Sequence, residues 1–245
     1  MESGYYATCA ALVARTQALD TIANNLANAS TVGFRAEHNV FSSVLAAAGD
    51  QSRSQLNDAI NRYGILSGTT LDQSQGALQK TGNELDLGIE GPGYFVVQTA
   101  DGPMYTRNGS FQVSSHSQLV TASGDAVMGT NGVITMLPGP VSISSDGTIS
   151  SNGAVAGKLR VVEFPPDTEL TSVGSTYYSA PAGTATPSTS SSVRQGMLES
   201  SNVNPIEGMV ELVTAQRTAE MMEHALSIYN SEIDKTAAQE LPKVG

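Results

Sequence analysis

The sequence predicts an α+β chain in which long N- and C-terminal helices pair as a coiled-coil-like layer around an inserted antiparallel β-domain. Three observations lead there. Near the start, Tyr5, Leu12, Leu19 and Leu26 recur every seven residues, with Cys9, Ile22 and Ala23 between them. Near the end, Leu212, Ala215, Ala219, Met222, Leu226, Tyr229 and Ile233 alternate spacings of three and four. Each series is a narrow apolar seam of coiled-coil type, and such a seam needs a partner. The stretch between them holds short β-prone runs separated by Asn-Gly and Asp-Gly dipeptides, which take positive φ readily and close hairpins.

Taken in order, residues 1–48 read as a helical segment. The first helix covers Gly4 to Ala29, where Asn24, Asn25 and Asn28 supply amides that compete for backbone groups and Gly33 supplies the break. A short second helix is expected in Arg35 to Ala48, where Val40, Phe41, Val44 and Leu45 recur at helical spacing. Residues 49–82, rich in Ser, Gln, Asn and Gly, read as an extended linker. The β-domain, residues 83–180, opens with Leu85 to Ile89 and Tyr94 to Thr99. Turns are expected at Asp101-Gly102, Asn108-Gly109, Asn131-Gly132, Asp146-Gly147 and Asn152-Gly153. Lys158 to Phe164 reads as a strand ended by Pro165-Pro166. Residues 181–203 begin with a Pro, Ala, Ser and Thr tract that has little to bury and reads as an exposed connection. In residues 204–245, Asn204-Pro205-Ile206-Glu207 is a capped helix start, and the helix runs to about Ala238, a rod of about 50 Å at about 1.5 Å per residue.

The totals narrow the function. A chain of 245 residues can bury a substantial core, and charged residues make up only 14% of it. The net charge of -11 and the scatter of twelve Lys and Arg argue against a nucleic-acid partner. One cysteine precludes a disulfide framework, and Cys9 on the seam reads as a small buried apolar residue. No stretch reaches the roughly 18 apolar residues of a membrane span, and no basic, apolar leader opens the chain. An export route that does not cleave a signal leaves no mark in composition.

The common nucleophile-elbow, zinc and phosphate-loop motifs are absent, and no cofactor or metal site is expected. Gly88, Gly91 and Gly93 lack the helix and lysine of a phosphate cradle and read as corners. Glu84 and Asp86, two apart on a predicted strand, are the one carboxylate pair with the spacing for acid/base work. A secreted β-rich hydrolase with helical oligomerisation arms is therefore the alternative from another class. A passive adhesin or tail-like tube would share the architecture.

Blocks along the chain carry a resemblance. They are Asn24-Asn25-Leu26-Ala27-Asn28 with Thr31, Gly33 and Phe34-Arg35; Leu85-Asp86-Leu87-Gly88-Ile89; Gly91-Pro92-Gly93-Tyr94-Phe95; Tyr105 to Phe111; Leu119-Val120-Thr121; Gly196 to Pro205; and Gln216-Arg217. In this order they resemble the flagellar basal-body rod and hook proteins, structural axial proteins of the bacterial flagellum. Within that family, Ala23 to Arg35 and the short segment between Phe41 and Leu85 are more like the proximal rod protein than the distal one. The resemblance implies a non-enzymatic subunit of a periplasm-spanning, torque-transmitting tube. It also implies contacts with its own copies and other rod proteins, and passage through the flagellar type III export apparatus without a cleaved signal peptide. The expected assembly residues are Leu12, Leu19, Ile22, Asn24, Asn25, Leu26, Asn28, Gly33 and Phe34, with Leu212, Ala219, Met222, Leu226 and Ile233 at the other end.

Overall fold

The computed structural model describes residues 2–42, 65–166 and 168–240. Helix α1 spans Glu2–Ala27 and helix α2 spans Pro205–Glu240. Strands β1 (Glu37–Ser42) and β2 (Ile65–Leu71) pair with each other. Then follow β3 (Leu78–Lys80), β4 (Leu87–Glu90), β5 (Tyr94–Thr99), β6 (Gly102–Thr106), β7 (Phe111–Val113), β8 (Leu119–Thr121), β9 (Ala126–Gly129) and β10 (Gly132–Val133). The three-stranded sheet β11 (Val141–Ile143), β12 (Thr148–Ser151) and β13 (Ala154–Lys158) comes next. The chain continues through β14 (Val161–Glu163), β15 (Thr171–Val173), β16 (Tyr177–Ser179), β17 (Thr186–Pro187), β18 (Ser192–Gln195) and β19 (Met197–Glu199). Two units result. One holds α1, most of β1 and β2, and α2; the other is the β-unit, Ala27–Glu37 and Thr70–Asn204.

The main sheet of the β-unit runs β15-β16-β6-β5-β9-β8-β7, antiparallel throughout. Its centre is β5, whose continuous apolar run explains burial on both faces. Phe95 and Val97 point into a core with Leu87, Ile89, Leu119, Val127 and Ile149, whereas Tyr94 and Val96 point the other way, to Val162 and Tyr178. Edge-on ring contacts finish both sides, Phe95 with Phe111 at 5.1 Å and Tyr94 with Tyr178 at 5.8 Å between centroids. The Asp101-Gly102, Asn131-Gly132, Asp146-Gly147 and Asn152-Gly153 pairs lie between successive antiparallel strands. At the last of these Asn152 itself takes φ 52°.

Several segments differ from the sequence reading. The helix expected from Arg35 does not start there: Arg35 is drawn into the β-unit and Glu37–Ser42 is a strand, stabilised by pairing with β2; residues 43–48 lie outside the described residues. Asn108-Gly109 is no hairpin turn. Gly109 lies flat against β4, where a Cβ would stand 1.7 Å from the Leu87 carbonyl oxygen, so its need is space rather than positive φ. The Ser-rich tract is anchored by Glu163, whose Oε1 accepts hydrogen bonds from the Ser188, Ser190 and Ser191 hydroxyls and from the Ser190 N–H. Long pairing of the two terminal helices is not seen among the described residues; their narrow, alanine-bearing seams offer a single chain little area to bury.

Burial pushes the Glu163 carboxyl up, but the serine hydroxyls and the Ser190 N–H outweigh it and hold the group below its ordinary value. A depressed folded pKa means stability that is present above the unfolded value and lost as pH falls through the folded one. The protection factor of the Ser190 amide, its exchange rate divided by the intrinsic rate at the same pH and inverted, is therefore expected to fall only in acid, and Glu163→Gln should remove that pH dependence. Asn152→Val should cost about 1–2 kcal/mol in urea unfolding, the penalty of a side chain in the left-handed region, whereas Asn152→Gly should not.

Candidate functional site

The described chain brings its two resemblance-bearing ends to one buried point in the β-unit. Residues 31–36 leave α1 and lie against residues 199–202, which lead into α2. Gly33, at φ 70°, donates its N–H to the Glu199 carbonyl at 2.8 Å. A Cβ there would stand 2.3 Å from Asn108 N, so only glycine lets this segment press on the Arg107-Asn108 peptide. Phe34, 3% exposed, follows into the interior.

Arg35, Arg107 and Glu199 are each about 1% exposed and form an ionic node. Arg35 NH2 stands 2.7 Å from Glu199 Oε1 and Arg107 NH1 stands 3.2 Å from Oε2. The first contact lies off the hydrogen-bond axis, so it works as charge on charge. Gly76 N–H adds a bond to Oε1 at 2.9 Å, and Arg35 NH1 donates to the Ser74 carbonyl. Arg107 also lies 4.6 Å over the Tyr94 ring, a cation–π contact. Burial pulls the Arg107 pKa down, and the Glu199 carboxylate works against that pull. Tyr178 accepts from Arg35 N–H at 3.1 Å and donates to the Gly33 carbonyl at 3.5 Å; burial pushes its phenol well up, so it stays protonated. Asn202 completes the clamp. Its Oδ1 accepts from Ala36 N–H at 2.7 Å, and its Nδ2 reaches the Asp72 and Ser74 carbonyls at 3.2 and 3.1 Å.

On the helices, Leu12, Leu19, Ile22 and Leu26 are half-buried, while Ala14 and Ala18 beside them are buried. Sequence reasoning passed over those two alanines because the leucines dominate the heptad pattern. Asn24 and Ala23 are exposed; Asn25 and Asn28 are half-buried, and Asn28 Oδ1 accepts the Thr31 hydroxyl at 3.1 Å. On α2, Leu212, Ala215, Met222 and Leu226 are half-buried and Ala219 is buried; the Ile233 and Tyr229 side chains, like those of Tyr5 and Cys9, lie outside the described residues. Glu84 is exposed and accepts Val141 N–H at 3.2 Å, whereas Asp86 is buried, so the pair shares no open face.

Around the node the named groups bond mainly to backbone and to one another, which is the anatomy of a structural joint: two chain ends leading to helices, locked on one β-unit. Comparison with known proteins agrees. Residues 7–35 match the flagella basal body rod protein family, residues 88–155 the flagellar hook protein FlgE/F/G D1 domain, and residues 194–239 the flagellar basal body rod FlgEFG protein C-terminal region. The FlgF rod protein of Mesorhizobium japonicum is 32% identical over 226 residues, covering 90% of each chain. That of Caulobacter vibrioides is 30% identical over the whole of both chains, and FlgG of Bacillus subtilis is 34% identical over 81% of this chain and 84% of its own. The chain belongs to the flagellar basal-body rod protein family and is a structural subunit of the rod. That family is not one of enzymes.

Removing one partner of a buried ion pair strands the others, so Glu199→Leu should destabilise the full chain by about 3–5 kcal/mol in urea unfolding. Replacing all three, Arg35→Met, Arg107→Met and Glu199→Leu together, should restore most of that loss. A triple variant no more stable than the single one would show that stranded charge is not the cause.

Proposed function

We propose that the terminal helices pair through their seams within the assembled rod and are the elements that polymerise the subunit into a torque-transmitting tube. The observation that supports this most directly is that the less exposed side of α2, Gly208, Leu212, Ala215, Ala219, Met222 and Leu226, is a single stripe at spacings of three and four. Small residues permit close approach: a Cβ on Gly208 would be 3.8 Å from Leu26 Cδ1. A second stripe of α2, Ile206, Met209, Val210 and Val213, is 48 to 71% exposed. A helix with two apolar faces has more surface to cover than one partner helix can reach, which suits a helical polymer with further neighbours. Copies of this chain and other rod proteins are those neighbours on this reading. The ionic node then fixes the leads to both helices.

The same reading puts the subunit in the proximal rod, on the run from Ala23 to Arg35 and the short segment between Phe41 and Leu85. Delivery is through the flagellar type III export apparatus without signal cleavage. In a motile strain, Leu19→Asp with Leu26→Asp is expected to abolish incorporation into purified basal bodies while the β-unit stays folded; normal motility would sink the seam reading. Labelled wild-type subunit should lie at the inner-membrane side of the rod, and label next to the hook would make it a distal subunit.

A further inference from the structure

A half-open groove of about 520 Å³ in the β-unit lies between the Ser145–Gly147 turn and the ribbon of β14 and β17, floored by Leu159, Val161 and Val193. We propose that this groove receives a carboxylate from a second copy of the chain, with Arg160 as the charge that binds it; the inference rests on the rod-subunit reading.

Charge accounting within the β-unit carries the argument. Arg35 and Arg107 are tied to Glu199, Arg194 to Glu90 at 2.7 Å, and Lys158 to Asp146 at 3.1 Å, while Lys80, exposed and without an ion pair among the described residues, is not in the groove lining. Arg160, on the groove wall and exposed, makes no ion pair or side-chain hydrogen bond among the described residues. Asp146 on the groove lining is occupied by Lys158 and Thr148, and Glu163 on β14 by its serines. The groove therefore keeps one uncompensated positive charge. Around it the hydroxyls of Thr130, Ser145 and Thr189 also lack internal bonds among the described residues, so a carboxylate's second oxygen would find donors there.

The occupant follows from the chain's own composition. With a net charge of -11, identical copies repel unless acidic groups of one meet exposed cations of the next. Asp101 and Glu169 are exposed carboxylates without a partner among the described residues. An arginine in a hydroxyl-lined groove is the complement such groups require.

The test is photo-cross-linking in a motile strain that carries Asn131→p-benzoylphenylalanine, next to the groove residue Thr130 but outside the lining, in the full-length chain. A covalent dimer is expected in purified basal bodies, with the joined peptide mapping beside an Asp or Glu of the second copy. Adding Arg160→Glu should lower the dimer yield by about tenfold or more, the scale of one like-charge contact, while Arg160→Lys should keep most of it. Full incorporation without a self-cross-link, or a dimer indifferent to Arg160→Glu, overturns the groove proposal and leaves the rod reading standing. Absence of the wild-type protein from basal bodies overturns the rod reading and the groove proposal with it.

Discussion

A single carboxylate, Glu199, holds the β-unit's chain ends in place. Burying it beside two guanidinium groups carries a large desolvation cost, which the Gly76 N–H, the Ser74 carbonyl and the Tyr94 ring offset in part. Arg35 Nε and Arg107 Nε stay buried without a hydrogen bond. An apolar plug could supply as much stability. What charges add is selectivity: with the segment 199–202 misplaced, two buried guanidinium groups lose their counter-charge.

That property suits a joint. Arg35 follows the end of α1 at Ala27 closely, and Glu199 shortly precedes Pro205 at the start of α2. Neither lead is a free linker, because Gly33, Ala36 and Asn202 tie their backbones across to one another and to Asp72. Behind the joint, β5 divides the work by alternation: Phe95 and Val97 build the larger apolar core, and Tyr94 on the other face supports Arg107. One strand thereby couples the most apolar part of the β-unit to its most polar interior point.

Features with a local cause were legible in the sequence. The α2 stripe follows from spacing, its start from Asn204-Pro205, and four turns from dipeptides that tolerate positive φ. Asn108-Gly109 misled because the same dipeptide serves a different need, the absence of a side chain next to Leu87. Arg35 and Glu199 carry no mutual signal across the intervening chain, and Arg35 looked like the start of a helix because its partners are nonlocal. The serines after Pro187 looked like a linker for a related reason. Their order comes from Glu163, more than twenty residues back, and not from apolar burial.

Seam and node also differ in what each can complete alone. The node's main bonds close within one chain, so the leads to the helices are set before any neighbour arrives. Met209, Val210 and Val213 on α2 are 48 to 64% exposed, and exposed apolar area of that kind marks a surface for association. On the proposed assembly, a subunit enters the polymer with its joint already locked, and the contacts between subunits remain to be made. On that proposal the two elements are separable: the helix seams carry assembly, and Glu199 carries the folding of the β-unit's chain ends.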